Sequence, residues 1–353
     1  MGQRRAGRIA VVAVATCLFS GLPFRAFAQG CEPIRFTTPV NLGGEGQAYQ
    51  PAHEWQLTLA YRRLASNEWF VGKEENSALA PGGKAPVFKI NTLVADVSYS
   101  LSDRYRLRLS VPVSSGSLSR TWPDKAVHEQ TASGLGDVSI SGEAWALRPR
   151  TNERGNIAFA IGVKIPTGSH TAASQFYTAA GAVDFPADQT IQPGDGGWAV
   201  ILQTRAFRQV TDRLYGYGFA SYMVSPKSAS DVEWIPQSSR YWSVPDVYSA
   251  RAGGAFLLLP EQGLSASLGA RIDGIPIHDV IGGGDDETIK RTAYVIFADP
   301  GLSLSRGRNI LTLSVPYRVA VNRQKSLFEQ NTGALNAGGF AKRLVFGSYT
   351  RRF

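Results

Sequence analysis

No stretch of this chain beyond its first 28 residues is apolar for long enough to cross a bilayer as a helix, and the mean hydropathy is only −0.12. A spanning helix needs about 20 such residues, which excludes a helical membrane protein but not a barrel, whose strands are half polar. Cysteine is almost missing: Cys17 and Cys31 are the two present, too few for a disulfide framework. Four histidines (His53, His128, His170, His278) show no zinc spacing, and neither a phosphate loop nor a dinucleotide fingerprint occurs. No metal or other cofactor is therefore expected.

What is present begins with a leader. Arg4, Arg5 and Arg8 precede an apolar run from Ile9 to Leu22, and Ala26-Phe27-Ala28 offers a small-x-small cleavage site, so residues 1–28 read as a secretory signal peptide. Of the formal charge of +9, the leader's four arginines remove four, leaving +9 − 4 = +5, a mild excess that gives no reason to expect nucleic acid as a partner. Cys17 leaves with the leader, so Cys31 stands alone in an oxidising compartment. From Gln29 to Glu54 the chain has no sustained periodicity and is punctuated by proline and glycine. We expect a periplasmic segment, either disordered or folded into a barrel mouth as a plug.

The most informative stretch runs from Arg291 to Asn322. Tyr294, Ile296, Ala298, Leu302 and Leu304 share one parity against Asp299, Gly301, Ser303 and Ser305; after a turn at Arg306–Asn309, Leu311, Leu313, Val315, Tyr317 and Val319 oppose Thr312, Ser314 and Arg318. A period of two marks strands with one apolar and one polar face, and arms of 13 to 15 residues are long enough to cross a bilayer at a tilt. Twelve such segments occur, at roughly 55–66, 87–100, 104–114, 136–147, 156–166, 197–209, 214–224, 247–259, 264–274, 291–305, 310–322 and 340–353. Their connections alternate between short turns and long loops, the long ones being 67–86, 115–135, 167–196, 225–246, 275–290 and 323–339. This predicts an all-β chain, with residues 55–353 a transmembrane antiparallel β-barrel of about 12 strands, short periplasmic turns and long extracellular loops in the bacterial outer membrane. Lipid bilayer, lipopolysaccharide and, through the terminal Phe353, the outer-membrane barrel assembly machinery are the expected partners.

Trp55, Tyr99, Tyr105, Tyr215, Tyr217 and Tyr349 fall near one set of strand ends, and Trp69, Phe70, Trp122 and Trp242 near the other. They fit two interfacial girdles, or equally an ordinary aromatic core.

Several short pieces carry a family resemblance: Tyr61-Arg62-Arg63 leading to Phe70-Val71-Gly72, Ser110-Val111-Pro112, Gly134-Leu135-Gly136-Asp137, Lys164-Ile165-Pro166-Thr167-Gly168, Pro300-Gly301-Leu302-Ser303 and Ser314-Val315-Pro316. In this order the chain resembles, over about residues 55–353, the outer-membrane family labelled "MetA-pathway of phenol degradation", distantly grouped with aromatic-hydrocarbon and long-chain fatty-acid channels. That resemblance implies a channel or transporter for passive uptake of small hydrophobic or aromatic compounds. The loop Gly333–Gly339 departs from the His-Gly-Asp-rich stretch of that family.

If the apolar parity faces lipid, the other lines the lumen. Candidate lumen residues are Asp96, Arg104, Arg106, Arg108, Glu143, Arg205, Arg271, Asp273, Asp299 and Arg318. Centring the second turn on Ser102 sets Asp96 opposite Arg108; a two-residue Gly307-Arg308 turn sets Ser303 against Thr312 and Arg318 against Phe297. Such groups would set the field a solute meets, or form a salt-bridge network filling a narrow barrel. Pro112, Pro166 and Pro316 share inward parity near outer strand ends; lacking an N–H, each marks a bulge or a locally opened wall. No catalytic residues are expected, since no serine or second carboxylate stands at a recognisable spacing from any histidine. The alternatives are a structural or adhesive barrel without a pore and, third, an outer-membrane hydrolase. Asp279, Asp285, Asp286 and Glu287 could bridge to a cation or simply form an acidic loop.

Overall fold

The computed structural model describes residues 49–282 and 288–353, so the leader, most of the segment 29–54, and Asp285, Asp286 and Glu287 lie outside the described residues. Twelve strands form one closed antiparallel barrel: β1 (Trp55–Ser66), β2 (Val87–Ser100), β3 (Tyr105–Thr121), β4 (Val138–Trp145), β5 (Gly155–Ile165), β6 (Ala199–Gln209), β7 (Leu214–Val224), β8 (Val247–Leu259), β9 (Leu264–Ile275), β10 (Ala293–Arg306), β11 (Asn309–Ser314, resuming as Tyr317–Arg323) and β12 (Leu344–Arg352). Each pairs with its sequence neighbour, and β1 closes the ring on β12 from Gln56↔Arg352 to Leu64↔Leu344. The all-β class and the strand number are those expected from the sequence.

Parity explains why these segments are strands. On β1, Gln56, Thr58, Ala60, Arg62, Leu64 and Ser66 are buried while Trp55, Leu59 and Tyr61 face out. Around the ring Leu93, Ile140, Ile161, Leu202, Leu268 and Val319 stand exposed, up to 66% for Leu268. An apolar surface this continuous belongs in lipid rather than water.

Register follows the turns. Ser303 pairs with Thr312 and Phe297 with Arg318, as the two-residue turn requires. The hairpin of β2 and β3 differs by two residues: Asp96 faces Ser110, and Ser98 faces Arg108. The Ser102 hydroxyl accepts from Arg104 N (3.2 Å) and Tyr105 N (3.1 Å), which centres the turn on Asp103 and moves every partner along.

Connections at one end are short (101–104, 146–154, 210–213, 260–263, 307–308), and those at the other are long and structured. β3 continues past the expected strand end and pairs with Val127–Leu135, so most of 115–135 is a projecting hairpin rather than a loop. Trp69–Val71 pairs with Ala337–Gly339, and Tyr241–Ser243 with Thr288–Ile289, tying loops to one another across the mouth. A helix, Leu327–Thr332, starts at a Ser326/Glu329 capping box.

The aromatics divide differently from two girdles. Trp55, Tyr99, Tyr105 and Tyr349 do face out at the short-turn end. Tyr215 and Tyr217 share the parity of buried Met223 and point inward, and Trp69, Trp122 and Trp242 are buried in the folded loops.

Candidate functional site

The lumen is built in three levels. At the short-turn end, Glu143 on β4 accepts from Arg106 of β3 and Arg205 of β6, both at 2.6 Å through the same Oε1. Arg108 sits one inward step above Arg106, opposite Ser98 and Ser141, and Asp96 lies buried on β2. Arg104 stays in the turn, donating to Trp145 O (2.7 Å) and Ala146 O (3.1 Å). Of the ten lumen candidates, this level thus gathers Asp96, Arg104, Arg106, Arg108, Glu143 and Arg205, with cations in excess.

The middle level holds two buried ion pairs. Arg251 Nε lies 2.7 Å from Asp299, which also accepts from Ser314; Arg271 Nε lies 2.7 Å from Asp273, which accepts from Ser249 at 2.7 Å. Buried charges are tolerable when paired, and the Arg271–Asp273 pair is also hydrogen-bonded, whereas Arg251 Nε meets Asp299 as a charge contact outside hydrogen-bond geometry. Guanidinium groups also cover aromatic faces here, Arg271 over Phe346 at 4.6 Å and Arg251 over Tyr217 at 5.3 Å.

Beginning level with Arg271 and Asp273, which pair with Phe297 and Val295, is an apolar cluster. Leu64, Phe88, Ile90, Leu118, Val295, Phe297 and Phe346 point inward from the strands and meet Phe70, Ala187, Ile191, Phe340 and Ala341 from the infolded loops. Arg318, at the edge of this cluster, is taken by Glu68 of the first long loop and by Phe340 O at 2.9 Å.

A latch holds the third long loop inside. Lys164 on β5 is 1% exposed and reaches Asp137 (3.4 Å) and Asp195. Asp137 also accepts from Gly168 N (3.0 Å) and Asp195 N (3.3 Å), while Thr167 Oγ1 spans Gly136 O and Val138 N, both 2.9 Å. The chains cross so closely that a Cβ on Gly136 would stand 2.9 Å from Pro112, and one on Gly168 2.9 Å from Gly136 and Gly194. The Gly-Leu-Gly-Asp and Lys-Ile-Pro-Thr-Gly pieces are thus two halves of one crossing. Pro112 faces the one-residue register shift between Val113↔Leu135 and Ser110↔Ser139; Gly136 N donates to Pro112 O (2.8 Å) across the bulge. Pro166 follows the end of β5, and Pro316 interrupts β11 with no register change.

Above the latch, Asp188 is bound by Arg291 at 3.1 Å, whose guanidinium lies 4.0 Å over Trp242; Arg120 lies 3.8 Å over Trp122. Burial alone would raise the Asp188 carboxyl, but Arg291 outweighs it and holds the group below the ordinary carboxylate value. In the fifth long loop Asp279 is paired with Lys290 at 2.5 Å.

Among the histidines, His128 lies on the projecting hairpin rather than in a loop, 2.6 Å from Asp124 and stacked on Tyr177; His170 is 3.9 Å from Asp231. Sequence reasoning missed Arg62, Lys164 and Arg251, all of which share the inward parity and could have been found by it. Asp137, just before β4, lies within the expected segment 136–147 on the parity of Glu143; Asp195, Asp188 and Glu68 act from loops, where parity gives no signal.

The fold is that of an outer-membrane β-barrel. An outer-membrane channel from Pseudomonas putida F1 is similar with a TM-score of 0.61 and 15% identity over 90% of this chain and 100% of that one. A Pseudomonas aeruginosa FadL homologue (TM-score 0.42, 12% identity, 93% of this chain and 95% of that) and the P. putida toluene transporter TodX (0.41, 8%, 86% and 91%) superpose less well. No protein-family model and no curated protein matches the chain, so the phenol-degradation label rests on the short pieces quoted above alone.

Proposed function

We propose that this protein is an outer-membrane channel through which small hydrophobic or aromatic compounds pass by diffusion. The observation that carries this reading is the apolar cluster around Phe88, Phe297, Phe340 and Phe346 inside the barrel, set beside buried ion pairs. An apolar inner surface gives an apolar solute a place to leave water. The likeness to a channel at 15% identity supports the fold of this reading. A sideways exit would pass the Pro112 bulge, where Gly136 N donates to Pro112 O at 2.8 Å.

In this reading residues 1–28 direct export, Phe353 presents the chain to the assembly machinery, and the outer rim meets lipopolysaccharide. The second reading, a closed structural barrel, is favoured by the infolding of Ala187, Ile191 and Phe340. Flux of toluene, phenol and benzoate into liposomes carrying the purified protein, with planar-bilayer conductance alongside, separates the two. Absence of both flux and channels decides for the closed barrel.

A further inference from the structure

The short-turn mouth already holds an aromatic guest. Tyr49, from the segment preceding β1, places its ring edge-on to Trp145 (4.8 Å between centroids, 71°) and Phe207 (5.5 Å, 73°), which themselves meet at 5.9 Å. Its hydroxyl donates to Asn152 O at 2.6 Å. Arg205 covers the Trp145 ring at 4.4 Å while fixed by Glu143 at 2.6 Å, so the pocket's floor is held from behind. Gln50 follows Tyr49 into the mouth, buried, accepting from Ser98 Oγ at 3.3 Å and donating to Glu54 O at 2.7 Å.

These contacts define a recognition site by its chemistry. Two perpendicular rings offer faces to the edge of a third, the preferred aromatic geometry, and a backbone carbonyl awaits a donor at the ring's rim. We propose that this pocket is an exit site for monocyclic aromatics bearing a hydrogen-bond donor, phenols and anilines, and that Tyr49 occupies it as an intramolecular competitor. The inference rests on the channel reading for its physiological use, but not for the binding itself. Burial first, with Glu153 beside it, raises the Tyr49 phenol above its ordinary value despite Arg205, so the hydroxyl remains a donor. A solute lacking that donor, such as toluene, leaves Asn152 O with only the long bond from Gly155 N at 3.5 Å and gains less.

The competition sets the expected effect: affinity for the guest falls by the fraction of molecules whose pocket is open. Titration calorimetry on the full chain in nanodiscs, with phenol and toluene as probes, reads it directly. Tyr49→Ala should bind phenol about tenfold tighter than the unsubstituted protein and prefer it to toluene. Tyr49→Phe, which keeps the ring in the pocket but loses the bond to Asn152 O, should fall between the unsubstituted protein and Tyr49→Ala, and adding Phe207→Ala to Tyr49→Ala should abolish the gain. Heat-modifiable gel mobility establishes that each variant is folded. No gain in Tyr49→Ala, or an equal gain for toluene, overturns the proposal. Liposome flux of phenol and toluene in the same proteins separates the two readings: flux without binding leaves the channel and removes the site, and binding without flux does the reverse.

Discussion

Lys164 and Asp137 form an ion pair 3.4 Å long with essentially no solvent contact, at the point where β5 and the bulge before β4 meet the third long loop. Because Asp195 shares the same ammonium group, one side chain of the wall fixes a loop that packs Ala187 and Ile191 into the inner cluster.

Lys164→Met should therefore leave two buried carboxylates without a cation. Removing one partner of such a pair costs about 3–5 kcal/mol, and the strain falls on the loop before the barrel. Protease cleavage within 167–198 in intact liposomes should appear in this variant only, together with larger conductance. A loop that remains resistant would show that the latch is not what holds it.

Glu143→Gln should bring two guanidinium groups together without a full counter-charge. We expect a loss of about 1–3 kcal/mol and a reversal potential shifted towards anions in a salt gradient. An unchanged reversal potential would place the ion path away from Arg106 and Arg205.

Ile161 is 63% exposed near the middle of β5. If that face lies in lipid, Ile161→Arg should cost about 2–4 kcal/mol in refolding into vesicles. A neutral outcome there would remove the barrel's outer surface from the membrane.

Asp188 gives a dependence on pH. A carboxyl held below its ordinary value stabilises the folded loop fully above the unfolded-state value near 4, and that share is lost as pH falls through the lower folded value. Conductance should thus be flat from neutrality down to about pH 5 and rise only below about 4, and Asp188→Asn should abolish the rise. A transition between pH 5 and 7 would point to a different group.

Much of this was readable in advance. Phe297 facing Arg318 and Ser303 facing Thr312 followed from parity plus a two-residue turn, since side-chain direction along a strand has a fixed period. Asp96 and Arg108 were set two residues out of register, because Ser102 bonding back to Arg104 and Tyr105 moves the turn centre by one residue. Trp69, Trp122 and Trp242 fit a rim girdle or a core equally well by sequence and are buried; their loops carry no periodicity to say which way they fold.

Alternation between greasy and polar residues, repeated twelve times with turns of two lengths, was enough by itself to determine the barrel, its inner face and its two ends. That information is local, because each strand's faces are set by its own neighbours in sequence. Whether the interior is open, filled or latched was decided only in three dimensions, by meetings such as Asp188 with Arg291 and Glu68 with Arg318, which lie far apart along the chain. Charge pairing across such separations depends on where the loops fold back against the barrel, and no local pattern encodes it.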